Sequence, residues 1–272
     1  MAIAASPLSP SASPGPVPGD SYVQSFARGL EVIRSFSASS PRQTLSEVAA
    51  RSGLSRAGAR RILLTLQTLG YVEGDGKHFS LTPRILDLGF AYLSSLPIWN
   101  LAEPVMEALA GEVGESCSAA VLDGTDIVYV LRVSTHKIMS ITLGVGSRLP
   151  AYCTSMGRVL LAALPEEQAM ACLKASNPEA LTRHTMTELD ALRHKLAQTR
   201  KQGWCLVNQE LEEGLVSMAA PIHDRAGRTV AALNISGQAN RTSARVMQDN
   251  MLQPLLQAAQ TISRLLVVQN KG

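Results

Sequence analysis

The chain has only four cysteines in 272 residues, none in a C-x-x-C pair and none beside a histidine at ligand spacing. That excludes a readable zinc site or disulfide framework. Cys117, Cys153, Cys172 and Cys205 are widely scattered, the pattern of a reduced, cytoplasmic protein. No apolar run approaches the ~20 residues that a membrane span needs, and the N-terminus lacks the basic start of a secretory signal, so no membrane partner is expected. Catalytic motifs are missing as well. There is no G-x-S-x-G elbow, no H-E-x-x-H and no phosphate-cradling glycine loop, and His184 and His194 stand in polar surroundings. Cys153 precedes Thr154 at a helix start, where a thiol can be activated, but no base accompanies it and a core or pocket-lining cysteine is the alternative. No catalytic residue, metal ligand or cofactor is expected. Residues Met1 to Asp20 lack apolar surface, because Pro7, Pro10, Pro14, Pro16 and Pro18 alternate with Ser, Ala and Gly. A disordered tail is expected over 1–20.

What is present is concentrated between Thr44 and Leu81. Leu45, Val48 and Ala49 fall at the i, i+3, i+4 spacing of one buried helical face, and Gly53 follows where a positive φ ends a helix. Ser55 stands at the N-cap of a second helix whose apolar stripe is Ala59, Ile62, Leu63, Leu66 and Leu69. Arg56, Arg60 and Arg61 lie off that stripe. Arg56 and Arg60, four residues apart, project from one side of the helix half that enters the major groove in helix-turn-helix proteins. Two short strand-like runs then flank Gly74-Asp75-Gly76, which predicts a β-hairpin wing with Phe79 and Leu81 facing the core. Lys77 and His78 on that wing are candidates for contact with the DNA backbone or minor groove, as Thr44 is at the start of the first helix. An interaction module without DNA affinity, with solvated arginines, is the bland alternative.

Charge supports the division. From Ser21 to Leu96 nine basic residues face five acidic ones, whereas from Pro97 onward sixteen face sixteen. The positive excess sits on the unit that would meet a polyanion. A chain of this length also has room for a second core. Phe26, Leu30 and Ile33 predict a first helix completing the small domain, over 21–81. Over 82–96 the run after Thr82-Pro83 reads as a linker helix, able to transmit orientation and to pair with another copy.

Residues 97–272 read as mixed α and β. A helix over Ile98–Val113 precedes a hairpin of Ser116–Leu122 and Ile127–Val133 about Asp123-Gly124-Thr125-Asp126, then a third strand over Ile138–Leu143. Helices follow at Thr154–Leu164 and Glu188–Gln202, strands at Leu215–Ile222 and Thr229–Ser236, and a long helix from about Thr242 to Val268. This is an α+β, sensor-like layout. Thr154, Ser155 and Met156 open a helix whose free amides could hold a carboxylate, or Thr154 and Ser155 merely cap it. Ser217, Asn234 and Ser236 interrupt apolar strands, where the partner of a buried polar group is either backbone or ligand. Arg132 continues the face of Val128 and Val130, and requires an anion: Glu210, Glu212, Glu213 or an effector carboxylate.

The stretches SYVQSFARGLEVI, PAYCTSMGR and NQELEEGL, with the helix-turn-helix between the first two, resemble the IclR family of bacterial transcriptional regulators. With LTPRILDLGFAYLSS and DGTDIVYVLRV they look most like its β-ketoadipate pathway regulators. The resemblance covers nearly everything after the tail. It implies an N-terminal winged helix-turn-helix, a linker helix and a C-terminal GAF-like effector-binding domain. It also implies a homodimer or dimer of dimers on a palindromic double-stranded operator. Each effector domain would take a small carboxylic acid such as protocatechuate, 4-hydroxybenzoate or β-ketoadipate, at Ser155, Met156, Ser217, Asn234 and Ser236. Val216 and His223 depart from the arginines common in close relatives, which leaves the identity of the acid open. The alternatives are regulation of another carbon-catabolic pathway, or a small-acid hydrolase or transferase with an accessory winged helix.

Overall fold

A computed structural model of the protein describes residues 19, 22–94, 98–135 and 143–269. The tail and the strand expected over Ile138–Leu143 fall outside these residues, apart from Gly19 and Leu143, and Leu143 is in no strand. The chain divides into two compact units, meeting in sequence between Leu96 and Pro97.

In the first unit, α1 (Gln24–Arg34), α2 (Leu45–Arg51) and α3 (Arg56–Thr68) pack around Val32, Val48, Ala49, Ala59, Leu63 and Leu66. A small antiparallel sheet is formed by β1 (Arg42–Thr44), β2 (Val72–Gly74) and β3 (His78–Leu81), in the order β1-β3-β2. Phe79 and Leu81 pack against the core, but the helical stripes are narrower than their spacing predicts. Phe26 and Leu69 are solvent-exposed, and α1 is anchored by Val32 and Ile33 at its C-terminal end. After β3 a 3-10 turn (Pro83–Ile85) leads into α4 (Leu86–Ser94). Thr82 occupies the N-cap position, yet its hydroxyl donates to the Gly70 carbonyl at 2.5 Å instead of capping the helix. Leu86, Leu88 and Phe90 on α4 are all exposed.

The second unit is built on a six-stranded antiparallel sheet in the order β6-β5-β4-β9-β8-β7. Its strands are β4 (Ser116–Asp123), β5 (Asp126–Val133), β6 (Arg148–Pro150), β7 (Cys205–Asn208), β8 (Leu215–His223) and β9 (Thr229–Gln238). The edge strands β6 and β7 are too short to leave a period in the sequence. On one face α5 (Ile98–Val113) and α9 (Ala244–Gln269) pack against each other and the sheet. On the other lies α6 (Ser155–Ala163), with α7 (Glu166–Ala175) and α8 (Leu189–Gln202) behind it. The core between α6 and the sheet includes Ala120, Ala219, Ala232, Cys205 and Val207. Those small side chains let α6 lie close.

Candidate functional site

The local chemistry of the first unit sets the angle of its two central helices. Thr44 and Glu47 form a reciprocal capping box: the Thr44 amide donates to the Glu47 carboxylate at 2.7 Å, and the Glu47 amide to the Thr44 hydroxyl at 3.4 Å. Gly53, with φ +65°, makes the turn, and Ser55 caps α3 by accepting from the Gly58 amide at 3.1 Å. Arg56, Arg60 and Arg61 stand exposed on α3, and Lys77 is exposed on the wing; none of the four is ion-paired. Their charge is therefore available to an external polyanion. The hydroxyls of Thr44 and Ser55, by contrast, are already engaged in capping.

The wing has an internal clamp. The Asp75 carboxylate accepts from the amides of Lys77 at 2.9 Å and His78 at 2.7 Å, and pairs with Arg42 on the neighbouring strand β1. Those backbone amides, then Arg42, hold the Asp75 carboxyl well below the usual carboxylate range. The His78 imidazole lies 3.7 Å from the same carboxylate, so its side chain turns partly into the wing.

In the second unit the polar residues picked from the strands converge. Across the sheet Arg132 lies opposite Ser118, Ser118 opposite Asn234, and Asn234 opposite Ala219. Two residues along, Ser116 lies opposite Ser236 and Ser236 opposite Ser217. Strand side chains alternate, so these polar groups share the face covered by α6. Thr154, Ser155, Met156, Ser217, Asn234 and Ser236 all line one small chamber of about 20 Å³, with Tyr129 and Cys153 in the same wall. Arg132 lines a second chamber of about 300 Å³; Leu215 and Ser236 belong to both walls.

Each hydroxyl in the first chamber has a definite state. Thr154 is the N-cap of α6, donating to the Pro150 carbonyl at 3.1 Å and accepting from the Gly157 amide at 3.2 Å. The Ser155 hydroxyl is different: it is buried and has no hydrogen-bond partner. The backbone amides of Ser155 and Met156 likewise find no acceptor among the described residues. A helix N-terminus carries unpaired donors and about half a positive charge, so these three groups converge on an anion. The Asn234 carbonyl oxygen accepts from the Ser118 amide at 3.0 Å, which commits that end to the sheet and leaves its NH₂ as the group able to meet a ligand.

What holds α6 in place was not legible in the sequence. Arg158 is fully buried and forms a bidentate pair with Glu210, at 2.6 and 2.5 Å, while its Nε donates to the Tyr152 carbonyl at 2.8 Å. Glu210 is therefore not a partner for Arg132. That guanidinium instead donates to Ser134 at 3.1 Å and Ser118 at 3.4 Å. Gly157 lets the 3-10 turn Ala151–Cys153 press onto α6, since a Cβ there would sit 2.2 Å from the Ala151 carbonyl oxygen. Burial pushes the Cys153 thiol up to about 12, overriding the helix start, so a thiolate nucleophile is not available there. Val216 is buried and His223 donates its amide to Ser263, and neither lines a chamber.

A winged helix-turn-helix followed by a sheet domain with a polar, anion-receptive chamber defines a ligand-responsive DNA-binding regulator as a class. Residues 25–76 match the IclR helix-turn-helix domain and residues 90–264 the bacterial transcriptional regulator IclR C-terminal family: the chain belongs to the IclR family. It is 40% identical over 242 residues to the Pca regulon regulatory protein of Pseudomonas putida, covering 89% of this chain and 83% of that protein. Among solved structures it is similar to a transcriptional regulator of Rhodococcus sp. RHA1, with a TM-score of 0.81, 49% identity and coverage of 90% of this chain and 98% of the other. An IclR homolog of Microbacterium hydrocarbonoxydans, solved in complex with 4-hydroxybenzoate, matches with a TM-score of 0.77 and 26% identity over 89% of this chain and 98% of that one. No helix among the described residues is long and apolar enough to cross a membrane.

Proposed function

We propose that this protein is a cytoplasmic, non-enzymatic transcriptional regulator of aromatic-acid catabolic genes that senses a small aromatic or dicarboxylic acid. The domain over 21–81 binds the operator, the helix over 82–96 links it to the effector domain over 97–272, and the protein acts as a homodimer or a dimer of dimers. Arg56, Arg60 and Arg61 enter the major groove, Lys77 and His78 meet the backbone, and Thr44 and Ser55 fix the helices that carry them. The exposed Leu86, Leu88 and Phe90 of α4 support pairing with a second copy.

The observation that carries the effector reading is the buried, unpartnered Ser155 hydroxyl beside the two free amides of the α6 N-terminus. A carboxylate satisfies all three, with Ser217, Asn234 and Ser236 meeting its other polar atoms. The names of the Pseudomonas putida relative and of the hydroxybenzoate complex support an acid from aromatic breakdown. Binding shifts operator affinity only as far as the acid prefers one arrangement of the DNA-binding domains over another. Thermal-shift titration with aromatic and dicarboxylic acids tests this: a ligand present at 100 times its Kd stabilises by about 2.7 kcal/mol. A panel that leaves the melting temperature unmoved contradicts the effector reading.

A further inference from the structure

We propose that the second chamber is a ligand subsite in its own right, in which Arg132 selects acids that carry a second anionic group. The inference rests on the effector reading above and deepens it. The first chamber, about 20 Å³, has space for little more than one water-sized group. It can receive a carboxylate at the Ser155 and Met156 amides, but not the carbon skeleton behind it. The second chamber, about 300 Å³, is at the lower end of the size of small-molecule sites. Because Leu215 and Ser236 line both, an acid seated at the helix start extends past them into the larger space.

Arg132 lines that larger space, and its electrostatic state is unusual for this unit. Arg148 is neutralised by Asp123 and Asp126, Arg158 by Glu210, and Arg241 by Glu115. The Arg132 guanidinium is half-buried, has no ion pair among the described residues and donates only to the hydroxyls of Ser134 and Ser118. Two acidic residues also line the chamber, Glu212 and Glu213, and Glu213 is ion-paired outward with Arg183 at 3.5 Å. A half-buried guanidinium with only neutral acceptors has unused fork geometry for a carboxylate. A bound diacid is thus held at one end by helix amides and at the other by Arg132. A monoacid fills the same path but leaves that charge uncompensated.

The test uses the full-length protein and calorimetric titration with two matched pairs: adipate against hexanoate, and terephthalate against 4-hydroxybenzoate. Wild type is expected to bind at least one diacid tenfold or more tighter than its partner in the pair. Arg132→Gln should erase that preference while leaving the monoacid affinity within about twofold, and Arg132→Lys should restore part of it. The comparison of ligands on wild type needs no variant, so a folding defect cannot mask the answer. Equal binding within both pairs, or an Arg132→Gln loss that is the same for diacid and monoacid, overturns the subsite and leaves the effector reading standing. Failure of all four acids to bind wild type overturns both.

Discussion

Arg158 and Glu210, fifty-two residues apart in sequence, meet as a buried bidentate ion pair that pins the first turn of α6 to the loop ahead of β8. Glu210 also accepts from the Met186 amide at 3.0 Å, so three segments converge on one carboxylate. Removing one partner leaves the other charge buried and alone. Glu210→Ala is expected to cost about 3–5 kcal/mol in chemical denaturation. The paired change Arg158→Met with Glu210→Leu should recover much of that loss, because it removes both charges together.

Gly157 makes the second demand on this junction. With the Ala151 backbone at 2.2 Å from a built Cβ, even one methyl forces the 3-10 turn off the helix. Gly157→Ala should lower stability by about 1–3 kcal/mol or more and weaken effector binding with it. A melting temperature equal to wild type would show that the turn yields without resistance.

Much of this was readable beforehand, for identifiable reasons. The capping residues Thr44 and Ser55, the turn at Gly53 and the wing about Asp75 are local devices, each written within a few residues. Ser155, Ser217, Asn234 and Ser236 stood out because a polar side chain in an apolar strand or helix start asks for a partner. The Arg158–Glu210 pair could not be read this way, since it joins distant segments with no shared period. The lining residue Tyr129 and the serines of β4 were missed because a half-polar strand does not say which face meets a cavity. Exposure of Phe26 and Leu69 reflects a core too small to cover a full helical stripe.

Alkaline stability should follow the buried thiols and phenols. Burial raises Cys117 and Cys153 from 9.0 to about 12, and Tyr129 from 10.0 to about 12. Folding keeps these groups protonated when the unfolded chain would release its protons, so the native state is favoured below pH 9 and loses ground above it. The denaturation midpoint is expected to hold steady from neutral pH to about 8.5 and to fall progressively toward pH 12. In the same state Cys153 should resist alkylation at pH 8, and become reactive only on unfolding.

At the other end of the chain, the wing clamp and the groove helix make separable contributions. Arg60→Ala is expected to cost about 1–3 kcal/mol on the operator and to relax specificity at one base pair. Lys77→Ala should weaken all sequences alike and reduce the salt slope by about one. Asp75→Ala, which frees the Lys77 and His78 amides, should speed hydrogen exchange at both and lower affinity for all sequences without changing base preference.

The central claim is that an acid at the α6 N-terminus controls DNA binding, and Ser155→Asp tests it most directly. The new carboxylate would occupy the anion position itself, beside the amides of Ser155 and Met156. Measured by fluorescence anisotropy on DNA from upstream of its own gene, wild-type affinity should shift when a thermally stabilising acid is added. The variant should bind that DNA yet show no shift at any acid concentration. A Ser155→Asp protein that still responds to the acid as wild type does would contradict the account.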